Sequence, residues 1–146
     1  MTYTVYTDGA YSEVKKVVGC AYLITTDKTF VSCDSVRVET ESSPTQAEML
    51  AVGLACAYFI DNCNLSEEDE IVFNIDSLYA VKLCNEYKSS FKGKYIKYEV
   101  DKRTLKLLQK LSKICKVEIR KVKGHKDKLN SNMFVDRLAK VAVRRG

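Results

Sequence analysis

The chain has one proline, six glycines and no tryptophan, and no stretch of it approaches the ~20 consecutive apolar residues of a membrane span. With so few chain-breaking residues, no linker, internal repeat or low-complexity tract is found. The 146 residues therefore read as one domain, 1–146, with enough chain for a proper core. The N-terminus, Met1-Thr2-Tyr3-Thr4-Val5, lacks the basic and apolar blocks of a signal peptide and begins at once as a strand. An intracellular, cytoplasmic protein with no membrane partner is the expectation. Apolar and charged contents of 46% and 29% belong to a soluble globular chain and exclude a disordered one.

Paired cysteines are also missing. The six cysteines are spaced by 13, 23, 7, 21 and 31 residues, with no Cys-x-x-Cys. Cys20 and Cys56 lie in apolar runs, so buried reduced thiols are expected in preference to disulfides or zinc. Histidine is nearly absent as well: His125 is the only one, eleven residues before Asp136. Any imidazole chemistry near neutral pH has that one address.

Charge is abundant but unevenly placed. Residues 1–76 hold 4 Lys/Arg against 13 Asp/Glu, a balance of −9, whereas residues 77–146 hold 20 against 6, a balance of +14. The basic half points to a polyanionic partner, and an acidic cluster in the first half would suit divalent cations.

Strands are expected over Thr2–Thr7, Gly19–Thr26 and Thr29–Val38, the last two joined by a tight turn at Asp27-Lys28. Ser43-Pro44-Thr45-Gln46 starts a helix: Ser43 caps, Pro44 takes the first position and Gln46 completes a capping box. Ala47, Leu50, Ala51, Leu54, Ala55 and Tyr58 follow at helical spacing to Ile60, with Glu48 in the first turn, just off the apolar stripe. Ile71–Ile75 is apolar on both faces, as in a central strand, and ends at Asp76-Ser77, where a helix through Leu83 starts. Residues 85–98 mix lysines with aromatics. A helix over Thr104–Lys113, a strand over Lys116–Lys123 and a helix capped from Asn130-Ser131-Asn132 complete the order β-β-β-α-β-α-α-β-α. That order predicts an α/β fold whose first three strands form an antiparallel meander, and whose first, fourth and fifth strands run parallel.

Asp8 and Asp76 end strands that this architecture makes central, and sites gather at such carboxyl ends. Glu48 and Asp136 come from the starts of helices that can pack nearby. Each acid alone has an ordinary reading as a turn former, a helix-start charge or a solvated side chain. Four carboxylates together repel one another unless cations compensate. Two Mg²⁺ ions, with Mn²⁺ as an alternative, would both neutralise them and serve phosphodiester hydrolysis.

Five segments sharpen this: Tyr6-Thr7-Asp8-Gly9, Gln46-Ala47-Glu48-Met49-Leu50-Ala51, Asn74-Ile75-Asp76-Ser77-Leu78-Tyr79, Val122-Lys123-Gly124-His125 and Val135-Asp136-Arg137-Leu138-Ala139-Lys140. In this order they resemble ribonuclease H of the type 1 family over nearly the whole chain. The resemblance implies an RNase H-like five-stranded mixed sheet, order 3-2-1-4-5, flanked by helices. It further implies two-metal endonucleolytic cleavage of the RNA strand of RNA–DNA hybrids, leaving 5′-phosphate and 3′-hydroxyl ends. Asp8, Glu48, Asp76 and Asp136 match the four metal-binding acids, with Asp8 bridging. His125 matches a mobile-loop histidine assisting proton transfer or product release. A stand-alone, monomeric nuclease with no obligate protein partner is the expectation.

The sequence departs from the family at substrate-gripping positions. Tyr11-Ser12-Glu13-Val14-Lys15-Lys16 replaces the usual glycine- and proline-rich loop, Pro44-Thr45 replaces paired asparagines, and Leu78 replaces a glutamine. Gly9, Ser43, Thr45 and Gln46 are the candidate contacts to the hybrid on the acidic side. Lys88, Lys92 and Lys94, interleaved with aromatics where many members carry a basic protrusion, and Lys123 and Lys126 beside His125 are the candidates on the basic side. Two other readings stay open: a same-fold DNA nuclease or junction resolvase, and a non-catalytic nucleic-acid-binding module.

Overall fold

β-branched and aromatic residues build β1 (Thr2–Ser12), β2 (Val17–Thr25) and β3 (Phe30–Glu39) into an antiparallel meander. Helix α1 (Pro44–Asn62) then carries the chain to β4 (Glu70–Ile75), which lies parallel to β1. Helix α2 (Leu78–Cys84), a 3-10 turn (Asn85–Lys88) and α3 (Glu99–Ser112) lead to β5 (Lys116–Lys121), parallel to β4. Helix α4 (Ser131–Arg144) ends the fold. The strand order is β3-β2-β1-β4-β5, the mixed sheet anticipated from sequence. The computed structural model describes residues 1–27, 29–39, 44–89, 96–122 and 131–144. Ser43, Lys92, Lys94, Lys123, His125 and Lys126 lie outside the described residues.

The sheet is covered on both faces, by unequal amounts. On one face Val5, Ile71, Phe73 and Ile75 pack with Met49, Val52, Phe59, Leu105, Leu108 and Leu111 of α1 and α3. On the other, Ala21 and Leu23 meet Val135 and Ala139 of α4. Among the described residues no helix is long and apolar enough to cross a membrane. Cys20, Cys56, Cys84 and Cys115 are buried, and Cys33 and Cys63 are half-buried. Burial raises the thiols of Cys20, Cys56, Cys63, Cys84 and Cys115, and pushes that of Cys20 up to about 12.

Two boundaries differ from the sequence reading in ways that matter for function. Strand β1 does not end at Asp8-Gly9 but continues to Ser12. Its two neighbours have unequal reach: pairing with β4 stops at Thr7↔Ile75, whereas pairing with β2 continues to Ser12↔Val17. Asp8 therefore ends the parallel pairing, not the strand. Helix α3 begins at Glu99, not at Thr104. Its first buried positions are Asp101 and Thr104, so apolar periodicity becomes visible only at Leu105. The remaining shifts, α1 running on to Asn62 and β2 starting at Val17, move nothing in the site.

Candidate functional site

Where β4 stops, β1 presents an open edge, and Gly9 lies on it. Its N–H, with no β4 residue opposite, is taken by carboxylates: Asp8 Oδ1 at 2.9 Å and Glu48 Oε1 at 3.3 Å. Only glycine permits this approach, since a Cβ at position 9 would come within 2.5 Å of the Ala47 backbone of α1. Gly9 thus brings the α1 backbone down onto β1 and joins two carboxylates through one N–H. Glu48 lies one residue beyond the first helical turn, and it is nearly buried, as is Asp8 (9% and 5% exposed).

Two charges this close in a dry site must compromise. Burial pushes the Asp8 carboxyl up; a hydrogen bond from Glu48 works against that, while the Asp136 carboxylate adds to it. Burial, and then Asp8 beside it, push the Glu48 carboxyl well above the ordinary carboxylate range, and the charge of Asp76 adds to the effect. Both shifts favour the protonated forms, so a proton shared by the pair would relieve the repulsion in the absence of a cation. Glu48 Oε2 is buried and has no hydrogen-bond partner among the described residues.

Asp76 and Asp136 are held differently. Asp76 follows directly on the last residue of β4 and leans towards Lys121 at the end of β5, Nζ to Oδ1 3.6 Å. Asp136, on α4, pairs with Lys140 one turn on, 3.0 Å. Both acids remain partly exposed, 28% and 29% at the side chain. The fold therefore brings the four sequence-selected acids to one end of the sheet, with Asp136 acting on Asp8 and Asp76 acting on Glu48. Among the described residues no three acidic, histidine or cysteine side chains close round one point as a finished cation cage. Lys121 and Lys140 each pair with one of the two outer carboxylates.

The donor set suits a hard divalent cation. It consists of carboxylate oxygens, one of them buried without a partner, in a cluster whose mutual repulsion a cation would relieve. No cysteine belongs to the set. Lys121 and Lys140 were not singled out from sequence. Lys140 was legible as the i+4 partner of Asp136, but Lys121 reaches Asp76 only through the Ile75↔Lys121 register.

The candidate substrate contacts are scattered. Gly9 serves the carboxylates, as described. Thr45 is half-buried. Gln46 is turned inward (3% exposed) and hydrogen-bonds the Asp101 carboxylate of α3, so it is not an exposed grip. Burial pushes that Asp101 carboxyl up to about 6, with the Gln46 bond working in the opposite direction. Lys88 is exposed at the end of the 3-10 turn. Beside it the Tyr87 ring is folded in, its hydroxyl donating to Val117 O at 3.0 Å, so this ring of the lysine-aromatic segment serves packing. Lys97 lies over the Tyr98 ring, 5.3 Å from its centre. Leu78 and Tyr79, immediately after Asp76-Ser77, are more than half exposed, at 55% and 54%.

A sequence model described as RNase H matches residues 1–144. Among solved structures, the chain is similar to RNase H1 from the halophilic archaeon Halobacterium salinarum, with a TM-score of 0.71, 16% identity and 98% of each chain covered. It is also similar to the N-terminal RNase H domain of a Mycobacterium tuberculosis protein, solved as a fusion with maltose-binding protein. There the TM-score is 0.71 at 15% identity, over 97% of this chain and 92% of that one. At these identities the structural likeness speaks for the fold. No curated protein matches the chain at the level of sequence.

Proposed function

Because the chain belongs to the RNase H family, we propose that it is a Mg²⁺-dependent endoribonuclease that hydrolyses the RNA strand of RNA–DNA hybrids. The observation that carries this reading is the gathering of Asp8, Glu48, Asp76 and Asp136 from four separate segments at one end of the sheet, with a buried Glu48 oxygen that has no partner among the described residues. These four residues would hold two divalent cations, Mg²⁺ or Mn²⁺. Bound there, the cations supply activation of the attacking water and stabilisation of the departing 3′-oxygen. Water attack on phosphorus with departure of that oxygen leaves 5′-phosphate and 3′-hydroxyl ends.

The chain's own groups have distinct tasks in this scheme. Gly9 N–H fixes the Asp8 and Glu48 carboxylates relative to one another. Glu48 gives up its proton when cations bind. Asp76 and Asp136, now paired with Lys121 and Lys140, would turn to the cations, and the two lysines would then be available to phosphate. His125, in the segment between β5 and α4, would move a proton to or from the departing oxygen. The lysines of the second half, Lys88, Lys92, Lys94, Lys123 and Lys126 among them, would carry the phosphate backbone, so binding weakens steeply with added salt. Discrimination between RNA and DNA would rest on the 2′-hydroxyl and the groove shape of the hybrid.

The test is cleavage of end-labelled RNA–DNA, RNA–RNA and DNA–DNA duplexes with Mg²⁺ or Mn²⁺. Cutting confined to the RNA of the hybrid, with 5′-phosphate products, is expected. A protein that binds Mg²⁺ and leaves the hybrid intact overturns the proposal, and cutting of structured DNA alone identifies a DNA nuclease. Asp76→Asn separates catalyst from binding module: cleavage is lost and hybrid binding kept.

A further inference from the structure

Glu48 is held from behind by two polar contacts that hydrophobic packing did not require. Gln46 and Met49 lie three residues apart on one face of α1, and both reach the first turns of α3. Gln46 hydrogen-bonds Asp101, which is 2% exposed, and Thr104 Oγ1 donates to the Met49 carbonyl at 2.9 Å in the core. Room for Thr104 exists because position 53 on α1 is glycine; a Cβ there would stand 2.8 Å from Thr104 Oγ1. The two contacts bracket Glu48, one on each side in sequence. Glu48 itself projects from a different face of the helix, towards Gly9 and Asp8.

These contacts are poor stabilisers. Asp101 Oδ1 is buried with no hydrogen-bond partner among the described residues, a cost that a leucine in its place would avoid. Their effect is geometric. Two ties on one face of a helix fix its roll, and a roll of 10° moves a group at the ~5–6 Å radius of the helix surface by about 1 Å. A ligand carboxylate loses much of its function over such a distance.

We infer that Asp101 and Thr104 are positioning residues, a clamp on α1 that sets the Glu48 carboxylate in register with Asp8. This inference rests on the reading of Glu48 as a cation ligand. Replacing the clamp with apolar residues of similar size separates positioning from stability when cation affinity and kcat are read well below the thermal midpoint, since the unpaired Gln46 amide lowers that midpoint by itself.

The experiment uses the intact chain carrying Asp101→Leu with Thr104→Val, alongside Thr104→Val and Thr104→Ser alone. Mn²⁺ affinity is read by calorimetry, and kcat, KM and thermal midpoint are read on the same preparations. Mn²⁺ binding weakened about tenfold and kcat lowered about tenfold are expected for the double variant, the effect typical of losing a group that orients a metal ligand. KM for the hybrid should stay within about twofold, the losses should persist well below the lowered midpoint that an unpaired Gln46 amide gives, and Thr104→Ser should behave as the parent. Parental Mn²⁺ affinity and kcat in the double variant would overturn the clamp. So would losses that simply follow a lowered midpoint. Should the double variant not fold, Thr104→Val decides between the same outcomes. A parent chain that neither binds Mn²⁺ nor cuts hybrid fails at an earlier step and removes the functional reading together with this inference.

Discussion

The four acids fall into two pairs that solve the same electrostatic problem in opposite ways. Asp8 and Glu48 sit in the dry angle between β1 and α1, where the carboxylates share a backbone donor. Asp76 and Asp136 sit at the wetter rim and are neutralised by lysines, Lys121 and Lys140. The inner pair is enclosed by the fold and its repulsion favours a proton; the outer pair is more exposed and faces lysines. On the proposed reading, such a site would stand without cations and still accept them, and hybrid cleavage would depend on the inner pair for geometry and on the outer pair for closure of the cation shell.

Breaking the inner pair should have the largest effect. Asp8→Asn keeps the shape and removes a charge; cleavage of a labelled hybrid should fall by about 10³-fold or more, while chemical denaturation shows a fold at least as stable as the parent. A clear drop in stability would mean that Asp8 is held by favourable contacts and not by constraint. His125→Ala lies outside both pairs and should cost about 10²-fold in kcat, the lower end of the range of a single proton-transfer group. A loss as complete as that of Asp8→Asn would move the histidine to the centre of the mechanism.

The next effect is in stability and depends on pH. Carboxyls raised in the folded state stabilise it fully below their unfolded values and lose that contribution as pH climbs through the folded ones. Asp8 and Glu48 are both raised, and Asp101 is raised to about 6. Cation-free protein should therefore lose stability from about pH 4 upward, with the Asp101 share complete soon after pH 6 and the inner pair continuing beyond it. Thermal midpoints across that range should fall less steeply in Asp101→Asn and in Asp8→Asn, and saturating Mg²⁺ should remove most of the inner pair's share. Identical slopes in parent and variants would contradict the shared-proton account.

The smallest effect is at the rim. Lys140→Ala removes an exposed i,i+4 pair and should lower stability by no more than about 0.5 kcal/mol. It should also tighten Mg²⁺ binding, because a positive charge beside the carboxylates is removed. Weaker Mg²⁺ binding would show that Lys140 supports the site.

The same contrast explains what could be read from the sequence. The sheet order and the four acids were legible because strand patterns, a capped helix start and five short motifs agreed with one another. The early stop at Asp8-Gly9 was a misreading with a physical origin: a strand has two edges, and only the β4 edge ends there. The start of α3 was hidden because Asp101 and Thr104 occupy core positions, which breaks the apolar period where the clamp lies. Lys121 could not be found without register, since the contact joins the ends of two strands far apart in the chain.

Glu48 is expected to keep a proton until a cation takes its place. Calorimetric titration of the parent with Mg²⁺ near pH 7, in two buffers of different ionisation enthalpy, counts the protons set free. About one proton per chain is expected from the parent, as ligands deprotonate to bind, and none from Glu48→Gln at whatever cation affinity it retains. Cation binding by the parent with no proton released would contradict this expectation.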